Sequence, residues 1–257
     1  MQSEQPAFSF PRPSGLTIIR SLVFNVVFYV NLLVFLVFGA WFLLMPRKWA
    51  IRALQTWARS SMWWQKVIIG TKVEVRGLEN IPKGACLLVG KHQSLWETFA
   101  ILPLVDDPAM VLKRELTYIP LFGWFAMKFK MVSVNRGAAA SALRKLRADA
   151  GERIADGRQI LIFPEGTRKN PLAEPDYKPG AAALYLSLDV DAVPFGLNSG
   201  LYWPRRKFVR YPGTIIIEFG PAIPKGLARK EFFARSQELI ESLTNELVRE
   251  GISKDFK

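Results

Sequence analysis

Residues 85–97 read Ala-Cys-Leu-Leu-Val-Gly-Lys-His-Gln-Ser-Leu-Trp-Glu. The opening run is apolar at every position and too short for a helix, which is the pattern of a strand buried on both faces. Comparable β-rich runs recur at 73–75, 110–112, 131–134, 159–163, 190–195 and 214–219, and helical patterns fill gaps at 138–156, 180–188 and 230–250. Strands buried on both faces and separated by helices predict an α/β fold, a mixed and largely parallel sheet covered by helices on both sides. Ligands in such sheets sit beyond the strand ends. Two polar clusters fall there: His92 follows the strand at 85–89, and Phe163-Pro164-Glu165-Gly166-Thr167-Arg168 closes the strand at 159–163.

Half of the 257 residues are hydrophobic although 22% are charged, and the apolar excess is concentrated near the N-terminus. From Ser21 to Pro46 there is no charge, with Arg20 before the segment and Arg47 and Lys48 after it. At about 1.5 Å per residue that length crosses a hydrocarbon core of roughly 30 Å with some tilt. It is too long for the apolar part of a signal peptide, and no small-residue cleavage site follows, so it reads as a retained anchor. Next, Lys48, Arg52, Gln55, Arg59 and Lys66 recur at helical spacing on one stripe, with Ile51, Leu54, Trp57, Trp64 and Ile68 elsewhere around the helix. Five of the eight tryptophans lie in this region, and the pattern predicts an amphipathic helix in a membrane interface. The expected organisation is a flexible tail at 1–15, an anchoring helix plus interfacial helix at 16–70, and a catalytic domain at 71–257.

Arg47, Lys48, Arg52 and Arg59 flank the C-terminal end of the apolar segment, against Arg12 and Arg20 at the other end. The positive-inside rule places the domain on the cytoplasmic face of the inner membrane. Residues 21–46 either cross the bilayer or re-enter it, and the lack of a Pro-Gly turn in their middle favours a span.

The net charge of +13 suits an anionic membrane face or a phosphorylated substrate. No zinc-knuckle spacing, RNP-like run or helix-turn-helix pattern accompanies it, so nucleic acid is not an expected partner. One cysteine, Cys86, and one histidine, His92, exclude a disulfide framework, a cysteine metal cage and a histidine-rich metal site. Cys86 lies inside an apolar strand and reads as core.

His92 is therefore the one imidazole available for proton transfer near neutrality. On a regular helix Glu97 would lie about 140° around from it. If His92 stands in a loop and Glu97 in the first turn of the next helix, the carboxylate reaches back, fixes the tautomer and leaves the other ring nitrogen free to take a proton. Ser94 then reads as the cap of that helix.

His-x4-acid followed by Phe-Pro-Glu-Gly-Thr-Arg resembles the glycerolipid acyltransferase family, of the lysophosphatidic acid acyltransferase type. Lys113-Arg114-Glu115-Leu116, Val134-Asn135-Arg136 and Val193-Pro194-Phe195 match further family blocks in order. Glu97 stands where the family usually has Asp, which keeps the charge and lengthens the reach by about 1.5 Å. The resemblance implies transfer of a fatty acyl group from acyl-CoA or acyl-carrier protein to the free hydroxyl of 1-acyl-glycerol-3-phosphate. It needs no cofactor and no metal, and membrane lipids are the partners. On this reading His92 is the base and Glu97 its orienter. Arg136 and Arg168 bind phosphate, with Lys113 and Lys178 as helpers. Glu165 bonds a substrate hydroxyl or locks Arg168, Gly166 and Thr167 complete the substrate turn, and its N–H groups stabilise an oxyanion. Two alternatives stand beside it: another lysophospholipid or lyso-ornithine lipid as acceptor, and a non-enzymatic lipid-binding or scaffold protein.

Overall fold

A computed structural model describes residues 8–135 and 139–256. Seven strands, β1 (Thr71–Arg76), β2 (Cys86–Gly90), β3 (Pro108–Lys113), β4 (Val132–Val134), β5 (Gln159–Ile162), β6 (Ala192–Leu197) and β7 (Gly213–Phe219), form one sheet in the order β1-β7-β6-β2-β5-β3-β4. All neighbours are parallel except β6 and β7. The seven expected strand runs coincide with these seven strands. The eight helices are α1 (Gly15–Phe38), α2 (Arg47–Ile69), α3 (Glu97–Ala100), α4 (Phe122–Lys128), α5 (Ala139–Ala155), α6 (Gly180–Leu188), α7 (Ser199–Tyr202) and α8 (Arg229–Asp255).

The two-sided core follows from strand period. Leu87, Val89, Ile160 and Ile162 pack against Leu146 and Ala150 of α5, Leu184 of α6 and Phe232 and Ile240 of α8. Cys86, Leu88 and Leu161 point the other way, towards Phe195, Ile217 and Ile101. Burial pushes the Cys86 thiol up to about 12, in keeping with a core residue. Gly90, the last residue of β2, is a required glycine: a Cβ there would sit 2.2 Å from the Phe195 ring. That close approach puts the chain after β2 directly over the strand ends.

The N-terminal helices depart from the span reading. Residues 39–43 form a 3-10 turn, Pro46 precedes α2, and α2 returns antiparallel along α1. Asn31 Nδ2 of α1 donates to Ser60 Oγ at 3.0 Å and Ser61 Oγ at 2.9 Å of α2. Phe24 and Phe28 of α1 and Ala50, Leu54 and Ala58 of α2 share one core with Trp96, Phe99, Trp203 and Tyr211 of the catalytic domain. Ahead of α1, Phe10 stacks on Tyr211, whose hydroxyl donates to the Pro11 carbonyl at 3.1 Å. One face of α1, at Ser21, Phe24 and Phe28, is buried against the domain, and the residues before the helix are pinned there as well. The segment is one arm of a helical hairpin. Its sequence lacks a Pro-Gly signal because the turn is a 3-10 segment rather than a β-turn.

The outer side of the hairpin is apolar and open. In the most hydrophobic window of 15–43 only 11% of the residues are buried, and Leu22, Val26, Tyr29, Leu33 and Phe38 project outward. Trp41 and Trp49 are exposed beside them, and Trp124 and Met127 of α4 are exposed as well. An apolar patch of this extent marks membrane association. The basic stripe of α2 behaves as expected for an interface at Lys48, Arg52 and Arg59, which are exposed. Ile51, Leu54, Ala58 and Ile69 pack on protein, while Trp63 and Val67 are exposed.

The hairpin is riveted to the sheet by charge. Arg47 makes a bidentate pair with Asp107, both contacts at 2.6 Å, and Asp107 also accepts from Arg158 Nε at 3.0 Å. Arg158 has no exposed surface. Burial alone would raise the Asp107 carboxyl, but Arg47 and Arg158 outweigh it and hold the group below its usual range. Asp107→Asn therefore leaves Arg158 buried without its counter-charge and should cost about 2–4 kcal/mol of unfolding free energy. Urea unfolding in detergent would measure this; an unchanged midpoint would show that the pair does not hold the hairpin.

Candidate active site

His92 stands in the loop that leaves β2, and Glu97 is the first residue of α3. The chain between them bends so that His92 Nδ1 lies 2.8 Å from Glu97 Oε1. The same oxygen accepts the backbone N–H of Gln93 at 2.7 Å and of Ser94 at 2.6 Å. Oε2 accepts from Ser199 Oγ of α7 at 2.7 Å, and Glu97 is fully buried. A carboxylate so surrounded by donors is an acceptor towards the ring, so Nδ1 carries the hydrogen and Nε2 presents a lone pair. The imidazole stacks on Phe163 with centroids 4.2 Å apart and 18° between planes. Ser94 does not cap α3 as expected; its hydroxyl accepts from Trp96 N at 3.1 Å, tightening the turn before the helix.

The second motif is tied to the first. Gly166 adopts a φ of +62°, open to glycine, and its N–H donates to the Phe163 carbonyl at 2.9 Å. Two residues beyond Thr167, Lys169 N donates to the His92 carbonyl at 2.8 Å. The Gly166 amide is thereby engaged and unavailable to an oxyanion. Among the described residues the Thr167 and Arg168 amides make no hydrogen bond. Arg168 is half-buried on the cavity wall without an ion pair among the described residues. Burial pulls its guanidinium below the usual range, Arg205 and Arg206 add to the effect, and the Glu97 charge opposes it.

Glu165 departs from the expected role. It turns inward, buried, and accepts from Lys91 Nζ at 3.0 Å rather than pairing with Arg168. Lys91 also contacts Glu241 of α8 at 2.6 Å, and Glu241 accepts from the Tyr177 hydroxyl at 2.9 Å. The reason is topological: β2 and β5 are adjacent and parallel, so a lysine just past one strand end meets a glutamate just past the other. Burial lifts the Glu165 carboxyl above its usual range, with the Lys91 ammonium opposing. Arg136 lies outside the described residues. Lys113 and Lys178 both line the cavity, but Lys178 pairs with Asp176 at 2.6 Å on the surface.

The cavity onto which His92 opens has a volume of about 730 Å³. Arg168, Arg205 and Arg206 stand on its polar wall, while Met110, Leu112, Leu143, Leu146 and Ile162 line an apolar one. It is thus built for a molecule that is both anionic and greasy. Sequence reasoning missed Ser199, Gln93, Arg205, Arg206 and the Lys91–Glu241–Tyr177 network. Lys91 carried a signal, being a charged residue at the end of an apolar strand; Ser199 and Glu241 lie about a hundred residues or more away from the motifs they serve.

The architecture and the motif-bearing loops resemble those of known acyltransferases. The family model described as Acyltransferase matches residues 72–198. A 1-acyl-sn-glycerol-3-phosphate acyltransferase of Pseudomonas aeruginosa is 39% identical over 170 residues, 66% of this chain and 66% of that one. A lyso-ornithine lipid O-acyltransferase of the same organism is 33% identical over 113 residues, 44% of this chain and 43% of that one. The crystal structure of the 1-acyl-sn-glycerophosphate (LPA) acyltransferase PlsC of Thermotoga maritima matches with a TM-score of 0.74 at 25% identity, covering 89% of this chain and 97% of that one. Residues 72–198 carry the domain of this acyltransferase family. It spans about two thirds or less of the length of the curated relatives it matches, 66%, 54% and 58% of three of them.

Ser199→Ala removes one donor from a fully buried carboxylate and should lower kcat about tenfold while leaving KM nearly unchanged, since an unsatisfied buried group costs about 1–3 kcal/mol. Ser199→Thr should restore most of the rate. Steady-state kinetics of the pair decide the point, and a full-rate alanine variant would remove Ser199 from the dyad's support.

Proposed function

We propose that the chain acylates the free hydroxyl of 1-acyl-glycerol-3-phosphate to give phosphatidic acid, with acyl-CoA or acyl-carrier protein as donor. The observation that carries the reading is the His92–Glu97 contact of 2.8 Å at the mouth of a cavity with guanidinium groups on one wall and aliphatic side chains on another. Nε2 of His92 takes the hydroxyl proton as the oxygen attacks the thioester carbonyl. The new C–O bond forms, the C–S bond breaks, and the imidazolium returns the proton to the leaving thiolate. Glu97 holds the ring and balances its transient charge. The Thr167 and Arg168 amides are positioned to receive the negative charge on the carbonyl oxygen. No covalent acyl-enzyme, metal or cofactor is required.

Arg168 binds the acceptor's phosphate, with Arg136 and Lys113 in support. Glu165 acts at one remove, by fixing Lys91 and the turn that carries Arg168. The hairpin rests in one leaflet of the inner membrane with the exposed face of α1 in the lipid and the basic row of α2 at headgroup level, and the catalytic domain faces the cytoplasm. A lyso-ornithine lipid acceptor is the second reading, favoured by the 33% identical relative that carries that name. The anion-binding wall weighs against it, because that acceptor has no phosphate monoester.

Purified protein given lysophosphatidic acid and acyl-CoA should form phosphatidic acid, detected by mass spectrometry. His92→Ala should reduce the rate by about 10²–10⁴. A His92→Ala enzyme that keeps a tenth of the turnover would overturn the mechanism, and a wild type that acylates only lyso-ornithine lipid would overturn the acceptor.

A further inference from the structure

Beyond the two sequence motifs, further arginines face the cavity, Arg229 at the start of α8 and a pair on one loop. Arg205 and Arg206 lie on the loop that follows α7, and both line the space onto which His92 and Arg168 open. None of Arg168, Arg205 and Arg206 makes a hydrogen bond or ion pair with any described residue. No Asp or Glu is among the residues that line the cavity. Arg168 and Arg205 are partly buried and Arg206 is exposed at the cavity's edge; guanidinium groups gathered in this way repel one another, and the usual compensation in proteins is a carboxylate. Its absence leaves an anionic ligand to supply the missing charge.

The loop is also built rather than loose. Arg210 is buried, and its Nη1 donates to the carbonyls of Lys207, Phe208 and Val209 at 2.6, 3.1 and 3.0 Å. Its Nη2 donates to Asn25 Oδ1 of α1 at 3.0 Å, and the guanidinium lies 4.5 Å from the centre of the Trp203 ring. Arg206 itself holds a left-handed φ of 53°, which a residue with a Cβ rarely adopts without surrounding support. At its other end the loop is anchored to the dyad, since Trp203 N donates to the Ser199 carbonyl at 2.9 Å and Ser199 Oγ to Glu97. The two arginines are thus held in a fixed relation to His92.

We propose that Arg205 and Arg206 join Arg168 in a clamp that holds the phosphate monoester of the acceptor lysolipid and so selects phosphate-bearing acceptors. The inference rests on the acyl-transfer reading above and deepens it. Two molecules could bring a phosphate to this cavity. In the acceptor the phosphate hangs from the carbon next to the one bearing the reacting hydroxyl, whereas in either donor the long pantetheine arm separates every phosphate from the thioester. Arg168 belongs to the turn whose Lys169 amide bonds the His92 carbonyl, and Arg205 and Arg206 line the same cavity, which favours the phosphate that lies near the reacting hydroxyl. The planar forks of arginine also match the several oxygens of a dianionic phosphate better than point-charge lysines do.

The test uses the full-length protein in detergent. In a His92→Ala background, which binds but does not turn over, the double variant Arg205→Ala/Arg206→Ala should weaken equilibrium binding of lysophosphatidic acid about tenfold or more. Lys207→Ala, a charge removed from the same loop but away from the cavity, should leave that affinity unchanged. In the active enzyme the same double variant should raise KM for lysophosphatidic acid by a similar factor, lower kcat less, and leave KM for acyl-CoA within about twofold. Replacing both arginines by lysine should recover part of the loss. Unchanged binding of lysophosphatidic acid, an equal loss from Lys207→Ala, or a rise in KM for acyl-CoA alone would each overturn the clamp. If the wild type binds lysophosphatidic acid through these arginines yet forms no phosphatidic acid, the clamp stands and the acyl-transfer reading falls.

Discussion

A carboxylate with no exposed surface, Glu97, sets the conditions that the surrounding structure meets. Removed from water, it needs donors from every side, and it finds them in the His92 ring, the Gln93 and Ser94 amides and the Ser199 hydroxyl. Each of these ties a separate piece of chain to the base: the loop after β2, the start of α3 and the short helix after β6. Gln93 Oε1 strengthens the last connection by accepting from the Gly200 amide at 3.0 Å.

The sheet makes this economy possible. Because β2 and β5 run parallel and adjacent, His92 and the Gly166–Arg168 turn emerge side by side, and the Lys91–Glu165 contact crosses the same gap beneath them. Because β6 lies on the other side of β2, α7 closes over the loop from that edge. The hairpin of α1 and α2 then packs its aromatic inner face on Phe99 and Trp203, close to the dyad, while its outer face stays apolar.

Much of this was legible in the sequence. Runs such as Cys86–Gly90 are apolar at every position, so strand existence and the two-sided sheet follow from composition alone. The His92–Glu97 contact was legible too, since a loop histidine and a first-turn acid leave few other geometries. What was not legible is long-range. Glu165 looked like a partner for Arg168, three residues on, yet it serves Lys91, seventy-four residues back, because strand order rather than sequence distance decides which ends meet. The apolar run at 21–46 left both a span and a re-entrant hairpin open, because hydropathy does not register the few polar side chains within it. Ser21, Asn25 and Asn31 are those side chains, each bonded to the domain or to α2. Ser199 and Arg205 gave no local signal, being ordinary residues until the fold brings them to the cavity.

The account turns on Glu97 acting as the charged orienter of His92, and the most direct measurement is the rate of phosphatidic acid formation by the Glu97→Gln enzyme. Glutamine keeps the shape and one acceptor oxygen for the ring and the two backbone N–H groups, but it removes the charge and turns an amide NH2 towards Ser199. The account predicts a fall in kcat of about 10²–10⁴ with little change in KM for lysophosphatidic acid. Turnover equal to that of the wild type would contradict it.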